Sequence, residues 1–189
     1  MAMEVGIPTR EDLSAAGKNC VLAAIQELYQ GKPDEHFGEI HHSIQGAPEW
    51  ISSTTGAPTY ISISHTSQVA VGVASKRPIG IDLERSGRNV SRLLQSLKPE
   101  ERDLMPRWRA IEILCAKEAA GKAQQVGLAG SLERWLVSED RGALTVTDTG
   151  SFACDASSTW GIQILERAFL EHTYTCAIAT PHYSAAMNQ

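Results

Sequence analysis

The sequence predicts an α+β protein, a single domain over residues 1–189 made of two similar halves, about 15–76 and 77–180. Each half is expected to be a long helix packed on a small antiparallel sheet. Two observations carry this. The order helix, strand, turn, strand, loop, hairpin occurs twice along the chain. Between the helices, apolar residues alternate with polar or small ones at a period of two, as in half-buried strands.

The elements follow in order. Residues 15–29, AAGKNCVLAAIQELY, have helical spacing and are ended by Gly31 and Pro33. A strand is expected around GEIHHSI, then a turn at Gly46–Pro48, a Ser/Thr/Gly-rich loop and the hairpin YISISHTSQVAVGVAS. In the second half, residues 108–126 are helical in pattern, followed by ERWLVSED, a turn at Arg141–Gly142, and ALTVTD. A small-residue loop at 149–158 then leads to the hairpin WGIQILERAFLEHTYTCAIAT, and the chain from Pro181 reads as a frayed tail.

Composition narrows the function. The chain is 42% hydrophobic and 21% charged, ordinary for a globular domain, and its net charge of −5 argues against a nucleic-acid partner. The first residues lack the basic-then-apolar order of a secretory signal, and no apolar run reaches the length of a membrane span. Cys20, Cys115 and Cys176 sit in apolar runs and Cys154 stands apart, with no CxxC pair among them. Free thiols in a reducing, cytoplasmic setting are expected.

Two carboxylates stand out. In RPIGIDLE, Asp82 and Glu84 are two apart on a strand, so they point the same way at about 6.5–7 Å. Ionised acids at that distance repel unless a cation lies beside them, and a hard divalent ion such as Mg²⁺ would serve. The bland alternative is a strand end with two solvated acids. A second feature is ILCAKEAAGKAQQVGL, where Glu118 and Lys122 share a helix face, Lys117 adjoins them, and small neighbours permit close approach.

These stretches taken in order, SISHT, VAVGVAS, RPIGIDLE, and AKEAAGK with Gly127–Leu128 soon after, resemble the 4′-phosphopantetheinyl transferases. The resemblance covers roughly residues 15–179. It is closest to the kind that carries two similar halves in one chain, not to the short trimeric holo-carrier-protein synthases. It implies transfer of the 4′-phosphopantetheine arm of coenzyme A to a serine of an apo acyl or peptidyl carrier protein, with release of 3′,5′-ADP. It further implies a cytoplasmic monomer serving fatty-acid or polyketide synthesis.

Carried onto this chain, the resemblance makes Asp82, Glu84 and Glu118 the Mg²⁺ ligands and Glu118 also the acceptor of the serine proton. Lys122 would neutralise the departing phosphate. Ser64 and His65 would hold phosphate oxygens of coenzyme A, Lys117 would add charge at the same mouth, and Lys18 would meet the 3′-phosphate. The remaining histidines receive no role. Two positions depart from the family's pattern: Ala47 stands where a basic residue is common, and Leu114 where an aromatic is usual.

The acidic carrier is expected to dock on residues 85–109, which hold seven of the chain's 17 Lys and Arg against three acids. Leu93, Leu94 and Leu97 would form an apolar stripe beside them. The other readings are a noncatalytic relative that binds coenzyme A or a carrier within a larger synthase, and an unrelated Mg²⁺-dependent phosphohydrolase.

Overall fold

Helix α1 (Arg10–Leu28) starts at a threonine. The Thr9 hydroxyl accepts from the Asp12 N–H at 3.2 Å, while the Thr9 N–H donates to the Asp12 carboxylate at 2.8 Å. This reciprocal cap satisfies two of the amides that a helix start leaves unpaired, so the helix begins before the stretch read from apolar spacing. Leu13, Gly17, Val21, Ile25 and Tyr29, each four residues from the next, are its buried stripe.

In this computed structural model residues 9–30, 37–43, 46–126, 131–150 and 159–182 are described. Gly31 and Pro33, residues 151–158 of the expected loop, Cys154 and the tail from 183 lie outside them. The first sheet is antiparallel, in the order β1 (Gly38–His42), β2 (Pro48–Ser52), β3 (Pro58–His65), β4 (Ala70–Ser75). α1 lies across β3 and β4. Gly72 on β4 permits the contact, since a Cβ there would stand 2.8 Å from the Val21 amide nitrogen.

β5 (Gly80–Arg85) leaves the first sheet. It becomes the edge of a second antiparallel sheet, in the order β5, β9 (His172–Pro181), β8 (Thr159–Phe169), β7 (Ala143–Asp148), β6 (Trp135–Asp140). The turn at Arg141–Gly142 has φ values of 51° and 82°, the two positive angles that a two-residue type I′ turn requires. The result is an α+β architecture with two antiparallel sheets, α1 on the first and α4 (Ala110–Ala123) on β5 and β9 of the second. Among the described residues no helix is long and apolar enough to cross a membrane.

Between β5 and α4 the chain forms two short helices, α2 (Ser91–Ser96) and α3 (Pro99–Arg102). Leu97 is buried and Leu94 packs on the core around α4. The leucine stripe expected to face a partner is therefore turned inward at these two positions, and the side chain of Leu93 is outside the description. Burying Leu97 contributes about 1.5–3 kcal/mol, which explains why so short a helix is held in place.

The two sheets meet through side chains. The Ile81 N–H donates to Ser62 Oγ at 3.1 Å and the Leu83 N–H to Ser64 Oγ at 3.2 Å. In ISIS, residues 61–64, the isoleucines face α1 and the core of the first half, while the serines reach across to the edge of β5 and satisfy its outward amides. An apolar cluster of Ile81, Leu83, Tyr174 and Cys176 against Val69, Val71 and Val73 completes the seam.

Candidate active site

The site lies where β5 crosses α4. The crossing is close because position 80 is glycine: a Cβ there would lie 2.0 Å from the Ala119 carbonyl oxygen. With Ala119, Ala120 and Ala123 all buried at the contact, the helix brings Glu118 and Lys122 to the face of β5 that carries Asp82 and Glu84.

Asp82 is 3% exposed, which replaces the picture of two solvated acids at a strand end. Its Oδ1 accepts from Lys122 Nζ at 2.7 Å and from Ser64 Oγ at 2.9 Å, and Lys122 also donates to the Ile81 carbonyl at 3.1 Å. Its Oδ2 is buried with no hydrogen-bond partner among the described residues. A buried carboxylate oxygen left unpaired costs about 1–3 kcal/mol or more, a cost that a water or a cation bound there would offset. Lys122, which shares a helix face with Glu118, thus pairs with Asp82 on the neighbouring strand.

The other two acids feel the same crowding. Burial pushes the Glu118 carboxyl up to about 7, with further upward pressure from Asp82 and Glu84 that Lys122 and Arg88 only partly offset. Glu84 is also raised, first by burial and then by Asp82, against the Arg88 guanidinium with which it forms an ion pair. The neighbouring thiols respond in the same direction. Burial, then the charge of Asp82, holds Cys176 at about 11, and Cys115 is pushed up far enough to stay protonated. Glu84 and Glu118 are therefore held where burial and neighbouring acids outweigh the nearby cations.

The oxygen donors available to a hard cation are Asp82 Oδ2 and the carboxylates of Glu84 and Glu118. Among the described residues no three His, Cys, Asp or Glu side chains converge into a metal-holding group. The geometry gives the reason. Glu84 is turned to Arg88, and Asp82 Oδ1 is taken by Lys122 and Ser64.

Other expected residues fall elsewhere. Ser64 is buried, donating to Asp82 and accepting from Leu83, so its hydroxyl is committed to positioning the acid and is not open to a phosphate. His65 is exposed at the end of β3, on the opposite face from Ser64, with Nδ1 3.4 Å from the Thr66 carbonyl. Lys18 is exposed on α1, across the first sheet from the acids, because α1 packs on the face of β3 that bears Ile63.

Lys117 does not reach the site. It is fully buried on another side of α4, with Nζ 2.7 Å from Glu101 Oε1 and 3.1 Å from the Leu132 carbonyl. Glu101 in turn accepts from the backbone N–H groups of Lys98 at 3.0 Å and Val137 at 2.9 Å. This buried pair ties α3, α4 and β6 together. Burial lowers the Lys117 pKa and Glu101 opposes it.

Two hollows are lined by the cationic partners of the acids, Lys122 in one and Arg88 in the other. One, about 340 Å³, lies between Gly46–Pro48, Tyr60, Ser62 and Ile79 and the end of α4, where Lys122 forms part of its wall. The other, about 480 Å³, is lined by Arg88, Asn89, Val90, Ser91, Arg92 and Leu114. Ala47 and Leu114, the two departures from the family's pattern, line one hollow each.

Sequence reasoning missed Ser62, Glu101 and the pairing of Arg88. The serine alternation was the available signal for the first. Nothing local marks the others, whose partners come from other elements or across a turn. Neither a protein-family model nor a curated protein matches the chain.

Proposed function

We propose that this chain transfers the 4′-phosphopantetheine arm of coenzyme A to a serine of an apo acyl or peptidyl carrier protein. The observation that carries the reading is Asp82: a buried carboxylate with one oxygen on Lys122 and the other without a partner among the described residues, close enough to Glu118 to raise its pKa. Lys122 lines one hollow and Arg88, the partner of Glu84, lines another, which suits a reaction that joins two partners. The repeat of helix and antiparallel sheet supports the pseudo-dimeric fold of that family, and with it a monomer.

In this reaction the serine Oγ forms a bond to the phosphorus that bears the pantetheine arm. The bond from that phosphorus to the bridging pyrophosphate oxygen breaks, and 3′,5′-ADP leaves with the electron pair. Glu118 takes the serine proton, and a carboxylate near pH 7 is well matched to that task. Lys122, in the wall of the first hollow, neutralises charge gathering on the departing phosphate. A divalent cation such as Mg²⁺, when bound by Asp82, Glu84 and Glu118, supplies positive charge to the pyrophosphate. Ser64 keeps Asp82 oriented.

One feature favours a second reading, a noncatalytic binder of coenzyme A or a carrier. Lys122 and Arg88 already hold two of the three acids. The test is the intact mass of an apo carrier incubated with coenzyme A, Mg²⁺ and this protein. Addition of one phosphopantetheine arm supports transfer. Coenzyme A binding without addition, across a panel of acyl and peptidyl carriers, favours the binder, and hydrolysis without addition favours a phosphohydrolase.

A further inference from the structure

Glu84 and Arg88 are joined across the turn that follows β5. The carboxylate side chain is 19% exposed and the guanidinium 52% exposed, so the pair stands at the mouth of the acidic site. The backbone around it is fixed. The Arg88 N–H donates to the Arg85 carbonyl at 2.9 Å, and Asn89 Oδ1 accepts from the Ser91 N–H at 2.9 Å. Beyond this backbone the Arg88 side chain, half exposed, also lines a hollow that it shares with Arg92.

We propose that Arg88 is the resident counter-cation of Glu84, and that a divalent ion and the guanidinium compete for this carboxylate. This rests on the reading of Asp82, Glu84 and Glu118 as a metal site. In the metal-free protein Arg88 limits the repulsion among the acids. When a divalent ion recruits Glu84, the guanidinium is released toward the hollow it shares with Arg92. Two cations then face one cavity, and the cavity gains affinity for an anionic surface. Linkage makes the effect reciprocal: metal binding and docking of an acidic acceptor strengthen one another. Arg88 is therefore a positioning residue for Glu84 and couples the metal to the acceptor.

The test is Mg²⁺ titration of the full chain by calorimetry at pH 8, where Glu118 is ionised, for wild type, Arg88→Ala and Arg92→Ala. The expected result is that Arg88→Ala binds Mg²⁺ about two- to fivefold more tightly, the range that an exposed ion pair supports. Arg92→Ala removes the same charge from the same hollow without touching Glu84, and its affinity stays within about 1.5-fold of wild type. In wild type the guanidinium Nε–H resonance of Arg88 shifts along the Mg²⁺ binding curve. Equal changes in the two variants, no change in Arg88→Ala, or an Arg88 resonance indifferent to Mg²⁺ overturns the exchange and leaves the metal site standing. Failure of wild type to bind Mg²⁺ overturns both.

Discussion

Glu118→Gln separates the electrostatics of the site from its chemistry. The Glu118 carboxyl sits at about 7 against an ordinary value of 4.5, chiefly because it is buried and then because Asp82 and Glu84 face it. Between those two pH values the folded protein holds a proton that the unfolded chain has lost. Wild-type stability in the absence of metal must therefore fall as pH rises from about 4.5 to about 7, and the full loss persists above that. At about 1.4 kcal/mol per pH unit the ceiling is roughly 3 kcal/mol, and partial solvent contact reduces it to about 1–3 kcal/mol.

Glutamine keeps the shape and cannot ionise, so the variant escapes the loss. In EDTA at pH 8, Glu118→Gln should be more stable than wild type by about 1–3 kcal/mol, and at about pH 4, below the ordinary carboxyl value, the gap should all but vanish. With a urea m value near 2 kcal/mol/M, the pH 8 midpoints should differ by about 0.5–1.5 M. Mg²⁺ should then close the gap by stabilising wild type through binding. Transfer by the variant should fall by about 10²–10⁴-fold. A variant less stable than wild type at pH 8, or an offset equal at both pH values, would refute the account of Glu118 as an acid raised by burial among like charges.

Asp82→Asn retains an acceptor for Ser64 but removes the charge opposite Lys122; Mg²⁺ binding measured by calorimetry should become undetectable, and intact binding would place the metal elsewhere. Lys117→Met leaves Glu101 buried and unpaired and should cost about 3–5 kcal/mol in urea melts, whereas Lys117→Met with Glu101→Leu should recover most of it. A single variant within about 1 kcal/mol of wild type would show that the pair does not tie α3 to α4. Arg85→Glu with Arg92→Glu should raise KM for an acidic carrier severalfold, with wild-type kcat/KM falling as salt screens the steering. An unchanged KM at low ionic strength would remove residues 85–109 as the docking surface.

What could be read in advance was set by local spacing. The period-two alternation marks β3 to β5 and the later hairpins, and it places Asp82 and Glu84 on one face. The start of α1 was missed because apolar spacing was read in preference to the Thr9-to-Asp12 cap, which lies outside the periodic stretch. Lys117 was placed at the site by the resemblance and by its adjacency to Glu118, although neighbouring helix positions diverge by about 100° and only Glu118 and Lys122 share a face. The segment after β5 was read for charge. Its leucines instead follow the core around α4, and Arg107 and Arg109 are engaged with Glu139, Glu112 and Glu166. The bonds from Ser64 and Lys122 to Asp82 span 18 and 40 residues of chain, a separation no local pattern encodes.

The hydroxyls of Ser62 and Ser64 have a consequence beyond the site. β5 is the terminal strand of its sheet, and an uncapped terminal strand is a template on which another chain can add. Here the amides of Ile81 and Leu83 are occupied by side chains of the first half, so the strand is closed without lengthening the sheet. The first half thus acts as an internal chaperone for the strand that carries the acids. A chain cut between β4 and β5 would bare that strand together with the apolar faces of Ile81 and Leu83, and it would self-associate before it could be assayed.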